Sequence, residues 1–118
     1  MTDHLPQAHL PLSPTVFHIL LALADQDRHG YAIIKDVLAR TDNQVHLSAG
    51  TLYSNLKRLL EDGLIKEIRA PANRIGDDQR RRYYALTELG RAVAQAELSR
   101  LEEVVRQAHA FGLKPSQA

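Results

Sequence analysis

The chain has no cysteine and no tryptophan, one methionine and only two phenylalanines among its 118 residues. Without thiols there is no disulfide framework, no thiolate zinc site, no iron–sulfur cluster and no cysteine nucleophile. Long apolar runs are missing as well. The longest, Ile19 to Ala24, falls far short of the ~20 residues that cross a bilayer, and no basic region followed by an apolar one opens the chain. A soluble, cytoplasmic protein is expected, with no membrane partner. There is no Gly-x-Ser-x-Gly turn, no glycine-rich phosphate loop and no carboxylate pair at a recognisable spacing, so neither an enzyme nor a cofactor is expected. The six histidines (His4, His9, His18, His29, His46 and His109) are scattered without ligand spacing, and no metal site is assigned. A metal-responsive regulator would have to gather its ligands across elements or subunits.

What is present is ordinary globular material, 44% apolar and 25% charged, in a length that holds one small domain. The net charge of +1 conceals an uneven distribution. Residues 1–27 carry three acids and no Lys or Arg, residues 28–82 carry eleven Lys or Arg against seven acids, and residues 83–118 carry four of each. Five arginines fall between Arg69 and Arg82, three of them consecutive at Arg80, Arg81 and Arg82. Such a cluster is either a solvated face or an electrostatic footprint on a polyanion.

Residues 1–12, with Pro6, Pro11 and no apolar periodicity, read as a flexible arm. Ser13-Pro14 starts a first helix to about Asp25, which is apolar on nearly every side (Val16, Phe17, Ile19, Leu20, Leu21, Leu23, Ala24) and so needs more than one packing partner. A second helix, about Tyr31 to Arg40, buries Ile33, Ile34, Val37 and Leu38 and turns Lys35, Asp36 and Arg40 to water. Ser48 caps a third, ending near Asp62 and Gly63. Leu52, Leu56, Leu59 and Leu60 form its buried stripe, and Thr51, Tyr53, Ser54, Lys57 and Arg58, all hydrogen-bond donors, lie on the other side. Leu64–Ala70 and Arg80–Leu86 read as the strands of a β-hairpin around a turn-rich stretch, 71–79. Thr87 caps a last helix to about Ala110 or Phe111, some 36 Å long at ~1.5 Å per residue, which is longer than the rest of the domain can cover.

Helix, helix, helix, strand, basic loop, strand, helix is the order of a winged helix–turn–helix domain with an extra C-terminal helix. The fold expected is mainly α with a small β-hairpin. Its parts are a flexible N-terminal arm at 1–12, the winged domain at 13–86, a dimerisation helix at 87–112 and a tail at 113–118. A capped, donor-lined helix fits the major groove, and an arginine-rich hairpin reaches neighbouring phosphates or the minor groove. Thr51, Ser54 and Lys57 are expected near base edges, and Tyr53 and Arg58 on phosphates. Tyr31 and Lys35 of the second helix, Ser48 at the cap, and Arg74, Arg80 and Arg81 of the wing complete the candidate DNA-binding set. A winged helix that binds protein instead of DNA is the competing reading.

His29-Gly-Tyr-Ala-Ile-Ile-Lys35, the stretch from Ser48 to Ile65 containing Gly-Thr-Leu-Tyr, and Arg80-Arg-Arg-Tyr-Tyr-Ala-Leu-Thr-Glu-Leu-Gly90 together resemble the PadR family of bacterial transcriptional regulators. The likeness spans about 14–110. It implies a homodimeric, usually repressing regulator that binds double-stranded DNA at an imperfect palindrome and is released in some members by a small effector. It also implies that the last helix packs near the partner's first helix. The candidate interface residues are therefore Val16, Phe17, Leu20 and Leu21 of the first helix and Leu89, Val93, Ala96, Leu101, Val104, Val105 and Ala108 of the last. Some similar small members hold flat aromatic effectors between tryptophans, a residue type this chain lacks. The candidate effector pocket is instead Phe17, His18 and Leu21 against Ala96, Glu97, Arg100 and Leu101.

Overall fold

The computed structural model describes residues 5–76 and 80–116. Helix starts follow capping chemistry. Helix α1, Pro14–Asp25, begins where Ser13 Oγ accepts the Val16 N–H at 3.1 Å; α3, Ala49–Glu61, begins where Ser48 Oγ accepts from Thr51 N–H at 3.1 Å; and α4, Glu88–Ala110, begins where Thr87 Oγ1 accepts from Gly90 N–H at 3.0 Å. Caps of this kind stabilise a helix by about 1 kcal/mol each. Helix α2, Gly30–Arg40, is capped by a histidine: His29 Nδ1 accepts the Ala32 N–H at 3.0 Å, which requires that nitrogen to be unprotonated.

The hairpin strands β2, Ile65–Ile68, and β3, Tyr83–Leu86, pair antiparallel, with Ile65 opposite Leu86 and Ile68 opposite Tyr83. A third strand, β1, Arg28–His29, pairs with the other edge of β3 and places His29 opposite Tyr83, so the sheet order is β1-β3-β2. This mainly helical chain with a small antiparallel sheet is a winged helix–turn–helix fold. The two-residue strand is too short to leave any periodicity in the sequence.

One core holds the elements together. Ile19, Leu20 and Leu23 of α1, Ile33 and Val37 of α2, Leu52, Leu56 and Leu59 of α3, Leu64, Ile65, Tyr84 and Val93 are all buried in it. Leu60, expected in the α3 stripe, is 36% exposed, because position 60 has turned past the edge of the face that Leu52, Leu56 and Leu59 present. Asp36, expected to face water, is instead largely covered. It takes an ion pair from Arg28 at 3.1 Å and another from Arg40 at 2.7 Å, and Arg40 Nη2 also donates to the His18 carbonyl at 3.2 Å. These contacts link α2 to α1 and to the start of β1.

The expected loose arm is replaced, over the residues described, by packed structure. Pro6–His9 form a 3-10 helix against α4, and Leu10 and Leu12 pack on the core. Residues 1–4, including His4, and residues 117 and 118 of the expected tail lie outside the described residues. At the far end, α4 outruns its support, with residues 102–107 all exposed. The radius of gyration, 15.9 Å, accordingly exceeds the ~13.5 Å of a compact chain of this length.

Candidate nucleic-acid interface

Helix α3 turns its leucines inward and leaves Ser48, Thr51, Tyr53, Ser54, Lys57 and Arg58 exposed. The small hydroxyls are anchored locally: Ser48 Oγ donates to Thr51 Oγ1 at 3.0 Å and Ser54 Oγ to the Thr51 carbonyl at 3.1 Å. Asn55, which the sequence reading passed over, donates from Nδ2 to the same carbonyl at 2.8 Å. A polar ledge therefore lines the first two turns, and Lys57, one turn beyond Tyr53, continues it.

Beside this ledge, α2 and the wing meet around one aromatic ring. Tyr31, 53% exposed, has Lys35 Nζ 5.5 Å and the Arg81 guanidinium 5.6 Å from its ring centroid, both within cation–π range, and His29 lies parallel to it at 6.5 Å. Tyr53 reaches across from α3 to cover the start of α2. A β-carbon at position 30 would lie 2.9 Å from Tyr53 Cζ, so a larger residue there would push the half-exposed Tyr53 ring aside. The result is a cleft of about 280 Å³ lined by His29, Gly30, Tyr53, Arg81, Arg82 and Tyr84. Arg82 Nε is 3.3 Å from Glu67 Oε1 but stays largely exposed, and burial pushes the Tyr84 hydroxyl above its ordinary range, keeping it a neutral donor. Helix N-terminus, guanidinium groups and phenols converge on one small space, a combination that suits a phosphate oxygen.

Several expected residues fall elsewhere. Arg74 is half-buried behind β3, beside Tyr83, and is not part of the Tyr31 cluster. Arg80 is exposed ahead of Arg81, and Asp77, Asp78 and Gln79 of the hairpin tip lie outside the described residues. Gly30 and Arg82 were missed. The arginine triplet signalled Arg82, whereas the contact between Gly30 and Tyr53 depends on where the Tyr53 ring lands. Of the expected interface set, Leu20 and Val93 are fully buried within the single chain and so belong to its own core, and Val16 and Leu89 pack at the margin of that core. Phe17, Leu21, Ala96, Leu101 and Ala108 are half-buried, whereas Val104 and Val105 are about half exposed. Leu98, 51% exposed, is a further apolar residue of that surface.

The expected effector pocket divides. Phe17 and Leu21 line a groove of about 160 Å³ that also includes Ala94 and Leu98, but His18, Glu97 and Arg100 do not line it. Glu97 is 2% exposed, takes two hydrogen bonds from Arg100 at 2.7 and 2.9 Å and a third from the Leu12 backbone, and is thereby satisfied inside the chain. The Arg100 guanidinium holds its carboxyl below the usual range, against the opposing effect of burial.

The family model for the transcriptional regulator PadR-like family matches residues 19–96, from the core half of α1 through the wing to the first turns of α4. The chain belongs to this family. A PadR-like chain of this size has close counterparts in both sequence and structure. It is 39% identical over 90 residues to the transcriptional regulator Rv3488 of Mycobacterium tuberculosis, covering 76% of this chain and 78% of that one. The crystal structure of a PadR family transcription regulator from Clostridium difficile superposes with a TM-score of 0.68 at 26% identity, covering 84% of this chain and 98% of the other. A transcriptional regulator from Clostridium thermocellum gives a TM-score of 0.66, also at 26% identity, over 86% and 98%. Among the described residues, no helix is long and apolar enough to cross a membrane, and no group of three or more His, Asp or Glu side chains is placed to hold a metal ion.

Proposed function

We propose that this PadR-like regulator is a homodimeric, sequence-specific DNA-binding repressor. The observation that carries the reading is the convergence of Tyr31, Lys35, Tyr53, Arg81 and Arg82 on the N-terminus of α2, immediately beside the donor ledge of α3. In that arrangement the cleft grips a backbone phosphate and fixes how deeply α3 enters the major groove, and Thr51, Ser54 and Lys57 read bases. Arg80 and Arg81 carry the wing along the adjacent backbone.

Fluorescence anisotropy with DNA from upstream of the chain's own gene, against a scrambled duplex and across a salt series, tests this directly. A preference of about 10³-fold or more for the upstream fragment is expected, with a steep salt slope. Arg80→Ala with Arg81→Ala should weaken binding to every sequence alike and flatten that slope by about 2 per subunit, since each phosphate contact contributes about 0.9. An unchanged slope would remove the wing from the interface. Sequence-independent binding by the native chain would leave a general DNA binder.

Dimerisation is supported by the unsupported half of α4. Leu98, Leu101 and Val105 line an apolar groove along the projecting half of α4, and the groove beside Phe17 and Leu21 opens onto Leu98. A second α4 laid along this stripe would bury it, and the two-fold axis so created would set the two α3 helices about one DNA turn apart. Leu98→Glu with Val105→Glu is expected to convert a species sedimenting at twice 13.2 kDa into a monomer with its helical content intact. A double variant that remains dimeric would place the interface elsewhere. An aromatic effector, if the regulator takes one in the groove, would lie between Phe17, Leu21 and Leu98 and not against Glu97.

A further inference from the structure

Gly50 stands exposed in the first turn of α3, and nothing else in the chain accounts for a glycine there. Glycine is the poorest helix former after proline, so inside a helix it calls for a crowded contact or an unusual backbone angle. The other glycines have such internal reasons: Gly63, Gly76 and Gly112 have positive φ, and a β-carbon at Gly30 or Gly90 would run into Tyr53 or Leu64. A β-carbon at Gly50 would meet no other part of the chain within 4 Å. Helical spacing puts Gly50, Ser54 and Lys57 on one line of α3, on the side away from the buried Leu52, Leu56 and Leu59. The neighbouring hydroxyls do not fill the gap. Ser48 Oγ accepts from Thr51 N–H at 3.1 Å and donates to Thr51 Oγ1 at 3.0 Å, and Ser54 Oγ donates to the Thr51 carbonyl at 3.1 Å. All three side chains thus lie back on the helix, and the start of α3 is low ground with bare main chain at its centre.

We propose that duplex DNA touches the main chain of α3 at Gly50, and that the missing side chain sets how deeply this helix seats in the major groove. The inference rests on the DNA-binding reading and adds to it a positioning residue that contributes no side chain. Glycine here costs helix stability, a cost that is offset where a partner outside the chain needs the bare main chain. A β-carbon is placed by the backbone alone and cannot rotate out of the way. Adding one would hold the start of α3 off the groove floor and lengthen the contacts of Ser54 and Lys57 with base edges. Arg80 and Arg81 on the wing would still reach phosphates. The loss therefore falls on discrimination between sequences and not on the electrostatic part of binding.

In the test, the full native chain first selects its preferred duplex from a randomised pool. Fluorescence anisotropy then compares that duplex with a scrambled one for the native chain, Gly50→Ala and Gly50→Leu. Gly50→Ala should cut the preference for the selected duplex about tenfold and Gly50→Leu about 100-fold, the scale of one or two mismatched base pairs. Affinity for the scrambled duplex, and its salt slope, should stay within about twofold of native in both variants. Without DNA, Gly50→Ala should unfold about 2 °C higher than the native chain, because it replaces the poorest helix former at an open position. Native discrimination in Gly50→Leu would overturn the proposal, and so would an equal loss of affinity for both duplexes. A lower Tm in Gly50→Ala would also overturn it, since the fold itself would then need the glycine. A native chain that selects no duplex fails the DNA-binding reading and this inference with it, a result seen before either variant is made.

Discussion

Gly90→Ala is expected to destabilise the domain by about 3 kcal/mol or more, at the upper end of what overpacking by one methyl group does. The first turn of α4 rests directly on main chain: a β-carbon at position 90 would collide with the Leu64 carbonyl oxygen and lie 2.9 Å from its carbon. No side chain can rotate away to relieve this. Two further bonds lock the same junction, because Thr87 N–H donates to the Leu64 carbonyl at 3.1 Å and Thr87 Oγ1 donates to the Gly63 carbonyl at 2.6 Å. Relaxation would therefore have to break a helix cap or shift the end of α3. Urea unfolding of the variant measures the loss, and a change below about 1 kcal/mol would mean that the Leu64 backbone yields easily.

For function, the largest effect is expected from Lys57→Glu combined with Arg58→Glu. Both side chains are exposed on α3, so folding stability should stay within about 0.5 kcal/mol of the native chain. DNA affinity should fall by about 10³-fold or more, because each subunit would lose two cationic contacts worth about 1–3 kcal/mol and present two anions to the groove instead. Anisotropy at fixed salt, with circular dichroism to confirm folding, measures both. Retention of native affinity would sink the assignment of α3 as the reading helix and favour a winged helix that docks on protein.

Helix starts were legible in the sequence wherever a hydroxyl does the capping, at Ser13, Ser48 and Thr87, because that chemistry is confined to a few neighbouring residues. His29 was not, since an imidazole cap looks in sequence like any other histidine. The exposed polar face of α3 was likewise readable from spacing, whereas Arg74, grouped in sequence with Arg80 and Arg81, lies half-buried beside Tyr83. What could not be read was which apolar face of α1 and α4 meets the chain's own core. Both helices are apolar on too many sides, so Leu20 and Val93, expected at a dimer interface, are buried in the chain's own core while Leu98 is exposed. The burial of Glu97 was hidden for a different reason. Its pairing with Arg100 is local, but it is covered by Leu12 and the 3-10 helix from a segment that carries no periodic signal at all.

The seat of α4 on Gly63 and Leu64 is a contact of main chain on main chain. A side chain can relieve a close contact by changing rotamer, whereas backbone resting on backbone has no such alternative. The first turn of α4 and the Gly63–Leu64 turn that follows α3 are therefore held in one fixed relation. Within that turn Asp62 N–H donates to the Arg58 carbonyl at 2.9 Å and Leu64 N–H to the Leu59 carbonyl at 3.0 Å, so the join continues into the last turn of α3.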